Sequence, residues 1–170
     1  MELFVIRHAI AEPLGKENEF SDEKRALTDE GRSRMREVVK GLVKLGVELD
    51  LIMTSPLARA VETAEIVATA VGLSKKEIKQ SGNLAPGASA AHLFAEIKSQ
   101  AGVEAIALIG HQPDLGVLIS RIIQGDGGSM SIQLKKGSVC CLKVTETVPT
   151  LRGDMVWLLT PRQLRLVAKA

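Results

Sequence analysis

The sequence has few aromatic residues: three Phe, one Trp and no Tyr among 170 residues. Surfaces that stack nucleic-acid bases are built from aromatic side chains, so this scarcity argues against such a surface. Charge of one sign does not dominate either, since 22 basic and 20 acidic residues leave a formal net charge of +2. Neither nucleic acid nor a membrane surface is therefore expected as a partner.

Cysteine is also scarce, and the two cysteines, Cys140 and Cys141, are neighbours. Adjacent residues of a strand point to opposite faces, so the pair offers neither a disulfide framework nor zinc-ligand spacing. A reducing, cytoplasmic setting is predicted from this usage. The opening stretch MELFVIRHAIAE is charged too early for a signal peptide, and no apolar run reaches the length of a membrane span.

The composition is that of a globular domain, with 45% hydrophobic and 25% charged residues. No repeat or linker divides the chain, so residues 1–170 are predicted to form a single domain. Short, continuous apolar runs predict strands that are buried on both faces. These strands are expected at Leu3–Ile6, Asp50–Thr54 and Ala105–Ile109, with further strands at Val139–Val144 and Met155–Leu159 and turns at Lys136-Gly137 and Arg152-Gly153.

Apolar residues at helical spacing predict helices between these strands. Three of the expected helices have recognisable start or stop signals. These signals are Thr28 as N-cap and Gly46 as stop for the first, Ser55 as N-cap with Pro56 in the first position and Gly72 as stop for the second, and Pro113-Asp114 as the start of the third. A weaker helix is expected over about Ala90–Ser99. Alternating strands and helices predict an α/β domain, a three-layer α/β/α sandwich with a mostly parallel central sheet.

Polar residues collect where three of the predicted strands end. Arg7 and His8 follow the first strand, Arg59 lies in the helix after the second, and His111 follows the third. In such sheets, ligands bind beyond the carboxyl ends of the strands. The dipole at a helix N-terminus disfavours a cation such as Arg59, unless an anion shares the site. Helix N-termini bind phosphate and arginine adds a bidentate fork, so a phosphate site is predicted here.

Two side chains could attack a bound phosphate. Ser55 has a structural explanation as an N-cap, whereas the imidazole of His8 can attack through one nitrogen while a hydrogen bond fixes the other. Arg7 and Arg59 would neutralise the charge that spreads over the transferred oxygens, and His111 would donate to one of them. The residues therefore favour His8 as the nucleophile.

Two further polar residues are interpreted with less weight. Arg25 follows Glu23-Lys24, and the pattern fits lining of the pocket and a solvated run of charges equally well. His92 lies on the weak helix and is interpreted as an ordinary structural or solvated residue.

Four segments, in this order, resemble the motifs of the histidine phosphatase superfamily, which has the phosphoglycerate mutase-like fold. They are Val5-Ile6-Arg7-His8-Ala9, Leu27-Thr28-Asp29-Glu30-Gly31, the run from Thr54 to Ala64, and Ile109-Gly110-His111-Gln112-Pro113. The short chain, the Arg25–Thr28 run and the Gly-His-Gln-Pro form are most similar to the SixA-type phosphohistidine phosphatases. The resemblance implies His8 as nucleophile, Arg7, Arg59 and His111 as the phosphate pocket, and neither a metal nor an organic cofactor.

The sequence departs from the family pattern in two places. Ala9 stands where the family usually has glycine. Many relatives carry a catalytic carboxylate after the middle strand, whereas the stretch Ser81–Ala91 contains no Asp or Glu. The general acid for an alcohol leaving group is therefore expected to be missing. Asp114 is the nearest substitute in sequence, but it is better interpreted as a first-turn helix residue.

The leading hypothesis is a metal-independent phosphatase that forms a covalent phosphohistidine and dephosphorylates a phosphohistidine-bearing signalling or phosphorelay protein, such as a histidine phosphotransfer domain. The alternatives are a phosphomonoesterase for small phosphate esters and a non-catalytic domain that binds phosphorylated partners. The intact set of His8, Arg7, Arg59 and His111 argues against the non-catalytic domain. A metal-dependent hydrolase is disfavoured because neither His8 nor His111 has a ligand-spaced partner.

Overall fold

The central feature of the computed structural model is one six-stranded sheet; the structure describes residues 1–14, 21–100, 102–125, 130–147 and 150–170. The strands are β1 (Glu2–Arg7), β2 (Leu51–Thr54), β3 (Ile78–Gln80), β4 (Ala105–Gly110), β5 (Val139–Glu146) and β6 (Arg152–Leu159). Their order in the sheet is β3-β2-β4-β1-β5-β6. Strands β1 to β4 pair in parallel, and β5 runs antiparallel to both β1 and β6, so the prediction of a mostly parallel sheet is confirmed.

Helices cover both faces of the sheet. They are α1 (Asp29–Lys44), α2 (Ala58–Val71), α3 (Ala90–Lys98), α4 (Asp114–Gln124) and α5 (Pro161–Val167). One hydrophobic core joins the sheet to α3 and α4, and a second core joins the opposite face to α1, α2 and α5. The predicted three-layer sandwich is therefore confirmed. Its physical reason is that the central strands are apolar on both faces, so each face of the sheet needs a cover of helices.

Local signals in the sequence place the helix ends that matter for the site. The side chain of Thr28 accepts a hydrogen bond from the backbone N–H of Gly31, so Thr28 is the N-cap of α1 as predicted. Gly72 ends α2 with a φ of 80°, a left-handed conformation that glycine adopts without strain. Gly31 is also required by packing, because a Cβ there would lie 2.0 Å from the carbonyl oxygen of Ile10.

Two local predictions are wrong. Helix α2 begins at Ala58 and not at Pro56, so its N-cap is Leu57 and not Ser55. The hydroxyl of Ser55 accepts from the backbone N–H of Leu57 at 3.3 Å and is also bound to the imidazole of His111. Arg152 and Gly153 do not form a turn but begin β6. A Cβ at Gly153 would lie 2.3 Å from the carbonyl oxygen of Lys143, so this glycine allows close approach of the paired strand.

Two elements have no counterpart among the sequence predictions. Strand β3 has three residues, too few for an apolar pattern to stand out. Helix α5 has seven residues and is marked by a capping box, in which Thr160 and Gln163 bind each other's backbone N–H groups, with Pro161 in the first turn. That signature was available in the sequence, and α5 completes the cover over α1.

Candidate active site

The three strands that were predicted to carry the chemistry are neighbours in the sheet. Arg7 at the end of β1 is paired with Gly110 of β4, and Thr54 at the end of β2 is paired with Ile109 of β4. His8, Ser55 and His111 follow these strand ends directly, so the parallel register brings them to one edge. The rings of His8 and His111 lie side by side with centroids 5.1 Å apart and planes inclined at 53°.

His8 is held in one tautomer by its own backbone. Its Nδ1 lies 2.7 Å from the carbonyl oxygen of Ala9, which can only accept, so Nδ1 carries the proton and Nε2 carries the free lone pair. The Nε–H of Arg59 donates to that lone pair across 3.3 Å. Burial lowers the pKa of His8 to about 3. The imidazole is therefore neutral near pH 7, the form in which it can attack phosphorus.

Arg59 lies in the first turn of α2 with only 4% of its surface exposed. Its Nη1 donates to the backbone carbonyl of Asp22 at 2.7 Å, and its Nη2 donates to the Asp22 carboxylate at 3.0 Å. Thr63, one turn further along α2, donates its hydroxyl to the carbonyl of Arg59 and accepts from the backbone N–H of Ala9 at 3.1 Å. The guanidinium is thereby fixed against the nucleophile, and α2 is tied to the segment that carries it.

His111 offers the second imidazole of the site. Its Nε2 and the hydroxyl of Ser55 are 2.8 Å apart, and its Nδ1 is buried without a partner among the described residues. Burial, and after it the charge of Arg59, lowers the pKa of His111 to about 4. An oxygen of a bound phosphoryl group would satisfy the orphaned nitrogen, and its negative charge would favour the protonated ring.

Sequence reasoning missed Asp22. Burial acts to raise the pKa of Asp22, but hydrogen bonds from Arg59 and Arg25 outweigh it and hold the pKa below its usual value. The carboxylate is therefore charged at neutral pH and has no proton to donate as a general acid. In the sequence, the i, i+3 spacing of Asp22 and Arg25 is the signal that could have indicated the ion pair between these two residues.

The structure places Arg25 behind Asp22 and not in direct contact with His8. Its Nε donates to the Asp22 carboxylate at 2.7 Å, and its Nη1 donates to the carbonyl of Glu12 at 2.8 Å. Arg25 thus supports the residue that positions Arg59, and among the described residues its hydrogen bonds go to Asp22 and Glu12 and not to His8.

Arg7 is the last residue of β1 and directly precedes His8. Its Nη1 donates to the carbonyl of Leu134 at 2.6 Å, while its Nε is buried without a partner among the described residues. Its charge contributes to the lowered pKa of both His8 and His111, so it acts electrostatically on both rings. Arg7, Arg59 and the two imidazoles therefore form a cationic, hydrogen-bonding site suited to a phosphoryl group.

Carboxylates from two helices anchor the stretch Ser81–Ala91. Asp114 accepts from the backbone N–H of Gly87 at 3.1 Å, and Glu96 accepts from the side chains of Ser81 and Asn83 at 2.5 and 2.8 Å. These bonds explain Asp114 and Glu96 as groups that hold the loop beside His111. The sequence contained no comparable signal for Glu96.

Two features are absent from the described residues. No group of three or more His, Cys, Asp or Glu side chains that could hold a metal ion occurs in this part of the chain. Within the same residues, no helix has both the length and the apolar character needed to cross a membrane.

Comparisons with known proteins point to one family. Residues 3–85 match the model of the histidine phosphatase superfamily, branch 1. An uncharacterized protein of Picosynechococcus sp. is 37% identical over 145 residues, which cover 84% of this chain and 85% of that protein. The phosphohistidine phosphatase SixA of Escherichia coli is 25% identical over 171 residues, covering 100% of this chain and 99% of SixA.

The solved structure of the protein histidine phosphatase SixA complexed with tungstate superimposes with a TM-score of 0.83, at 24% identity, covering 96% of this chain and 99% of that one. The fold is the phosphoglycerate mutase-like fold. The chain belongs to the histidine phosphatase superfamily, and this membership supports phosphatase activity.

Proposed function

We propose that this protein dephosphorylates phosphohistidine on a signalling or phosphorelay protein, through a covalent phosphohistidine at His8. The observation that carries the proposal is the state of His8: a neutral imidazole whose Nδ1–H is bound to the Ala9 carbonyl and whose Nε2 meets Arg59. Such a ring is an activated nucleophile that needs no separate base.

The reaction has two steps in this proposal. First, Nε2 of His8 forms a bond to phosphorus while the bond from phosphorus to the substrate nitrogen breaks, and the substrate ring, which solvent has already protonated on its other nitrogen, leaves as neutral imidazole. Second, water attacks phosphorus, inorganic phosphate leaves, and His8 regains its lone pair. Arg7, Arg59 and His111 stabilise the charge on the transferred oxygens in both steps. The residues provide this stabilisation without a metal, so we include metal independence in the proposal.

The choice of substrate follows from the leaving group. Imidazole has a pKa of about 6.5, whereas aliphatic alcohols are far more basic and need a proton from a general acid as they leave. Asp22 is held charged by Arg59, and Asp114 and Glu96 are bound to the loop that they anchor. General acid catalysis is worth roughly 10²–10⁴-fold, so a site without it favours phosphohistidine over alkyl phosphates.

The partner in this proposal is a phosphohistidine-bearing protein such as a histidine phosphotransfer domain. A cytoplasmic location fits such a partner and fits the two cysteines, which are both free and buried.

The test compares kcat/KM on a phosphorylated histidine phosphotransfer domain with kcat/KM on a panel of small alkyl phosphates. We expect the phosphohistidine protein to be preferred by at least about a hundredfold, the lower end of what a general acid contributes. Equal efficiency on alkyl phosphates, together with a steep loss in Asp114→Asn, would make the protein a phosphomonoesterase for small esters. Binding of phosphoproteins without turnover would make it a non-catalytic domain.

A further inference from the structure

A large cavity lies beside the nucleophile, on the side of the sheet covered by α1 and α5. Its volume is about 900 Å³. Arg7 and Ala9, the two residues that flank His8, both line it. The cavity therefore adjoins the phosphoryl site, and Arg7 is the lining residue that the proposed chemistry also uses.

The lining of this cavity is strongly basic. Six of its lining residues are Lys or Arg and none is Asp or Glu: Arg7, Arg34, Lys135, Lys136, Arg162 and Arg165. Arg34 is paired with Glu30 at 2.5 Å, and Arg165 is paired with Glu37. Within the described ranges of the chain, the side chains of Lys135, Lys136 and Arg162 have no acidic partner and are exposed. These charges are free to meet an anionic partner.

The basic residues are held at a fixed distance from the nucleophile. The backbone N–H of Gly137 donates to the carbonyl of Arg7 at 3.0 Å and to the carbonyl of His8 at 3.2 Å. This pair of bonds fastens the turn that carries Lys135 and Lys136 onto the end of β1. These two lysines therefore stand at a fixed position beside the end of β1, close to the residue that carries the nucleophile.

The cavity has an apolar floor and a charged rim. Met35 and Val38 of α1 lie in the floor, and Leu166 of α5 is 59% exposed at its edge. Protein interfaces combine an apolar centre with a polar rim, whereas a site for one small anion gathers its cations around a point. The exposed, unpaired cations come instead from two separate segments, the turn at Lys135-Lys136 and α5, which fits a broad acidic surface.

We propose that this basic cavity docks an acidic protein surface that carries the phosphohistidine. The inference rests on the proposed function and names the charge of its partner. Electrostatic complementarity of this kind raises the association rate and selects the partner, while the chemistry stays with His8 and Arg59.

The test uses two helical peptides, each with one phosphohistidine, flanked by Glu in one and by Gln in the other. Their affinities for the His8→Ala protein are measured by fluorescence anisotropy, so that binding is separated from turnover. We expect the Glu peptide to bind about tenfold more tightly, with the difference shrinking as salt is added.

Charge reversal assigns the preference to the cavity. The double variant Lys135→Glu/Lys136→Glu should abolish the preference for the Glu peptide. The variant Lys135→Gln/Lys136→Gln only removes charge and should reduce that preference. Lys75→Glu/Lys76→Glu is the matched control, because it reverses another exposed pair of adjacent lysines, beside β3 and away from the cavity; it should keep the preference.

Equal affinity for the two peptides, or a preference that survives both changes at Lys135 and Lys136, overturns the proposal. Tight binding of inorganic diphosphate that is lost in those variants, with no peptide preference, would assign the cavity to a small anion and would also overturn it. The proposed function fails separately: it falls if wild-type protein hydrolyses neither peptide, even where the binding preference holds.

Discussion

The Nε–H of Arg59 donates a hydrogen bond of 3.3 Å to Nε2 of His8. The lone pair that would attack phosphorus therefore already binds the cation that would stabilise the charge on the transferred oxygens. On arrival of a phosphoryl group, the same N–H can move from nitrogen to a phosphoryl oxygen. The guanidinium keeps its place during this exchange because Asp22 holds its other two nitrogens. The free site is therefore preorganised for the covalent step.

Replacing His8 with Ala should abolish turnover while the fold survives, because the described site contains no second group with the same lone pair and tautomer. A chase-quench experiment on wild-type protein should trap phosphate on His8 as a phosphoramidate, labile in acid and stable in base. Turnover near the wild-type rate in folded His8→Ala, or an acid-stable phosphoserine at Ser55, would contradict this assignment.

Replacing Arg59 with Ala should lower kcat/KM, with a loss of about 3 kcal/mol of transition-state stabilisation, comparable to the loss of one strong oxyanion donor. Arg59→Lys should recover only part of it, since a point charge cannot reach His8 and Asp22 together as the fork does. Steady-state kinetics on a phosphohistidine substrate measure both effects. Arg36→Ala, at an exposed position of α1, is the control and should match wild type; an equal loss there would show a nonspecific effect of charge.

Chelators should not inhibit the enzyme, because Arg7, Arg59 and His111 supply the charge neutralisation that a metal ion would otherwise provide. Activity is measured after dialysis against EDTA and again after divalent ions are returned. A loss on chelation that is restored by one of these ions would refute the expectation.

Acid should destabilise the protein through His8. The unfolded imidazole has a pKa of about 6.5, and burial lowers the folded value to about 3. Between these values the unfolded chain binds a proton that the folded chain does not, so the free energy of unfolding falls as the pH falls. At pH 5 the loss from this group is roughly 2 kcal/mol.

Urea unfolding at pH 7 and at pH 5 tests this linkage. The free energy of unfolding of His8→Gln should fall less between the two pH values than that of wild type. His92→Gln is the matched control, because the side chain of His92 is exposed on α3, and it should lose as much stability as wild type. Equal losses in all three proteins would argue against a buried, neutral His8.

Gly31→Ala should destabilise the fold and displace the segment after His8. A helix gains up to about 1 kcal/mol from this exchange, but the new Cβ would lie 2.0 Å from the carbonyl oxygen of Ile10. Backbone cannot yield as a side chain does, so the clash should outweigh the gain by about 1–3 kcal/mol. Thermal unfolding measures this, with Gly82→Ala as the control, since no atom lies within 4 Å of a Cβ there. Comparable stability of the two variants would contradict the packing argument.

Apart from β3 and α5, the sequence by itself determined the order of strands and helices, and it placed His8, Arg59 and His111 at strand exits and a helix start. Apolar runs and capping residues act over a few positions, so they are visible without knowledge of the fold. Thr28 and Gly72 illustrate this, because each satisfies or closes its own helix end.

Only the tertiary structure decided which groups meet at the site. Ser55 fits an N-cap in sequence, yet its hydroxyl binds His111, 56 positions away, because β2 and β4 are neighbours. Asp22 looks like part of a charged run, yet it holds Arg59, 37 positions away. Such pairings depend on strand order and chain packing, which local periodicity does not encode. For the same reason the basic cavity, built from β1, α1, α5 and the turn at Lys136, became visible only once these segments were assembled.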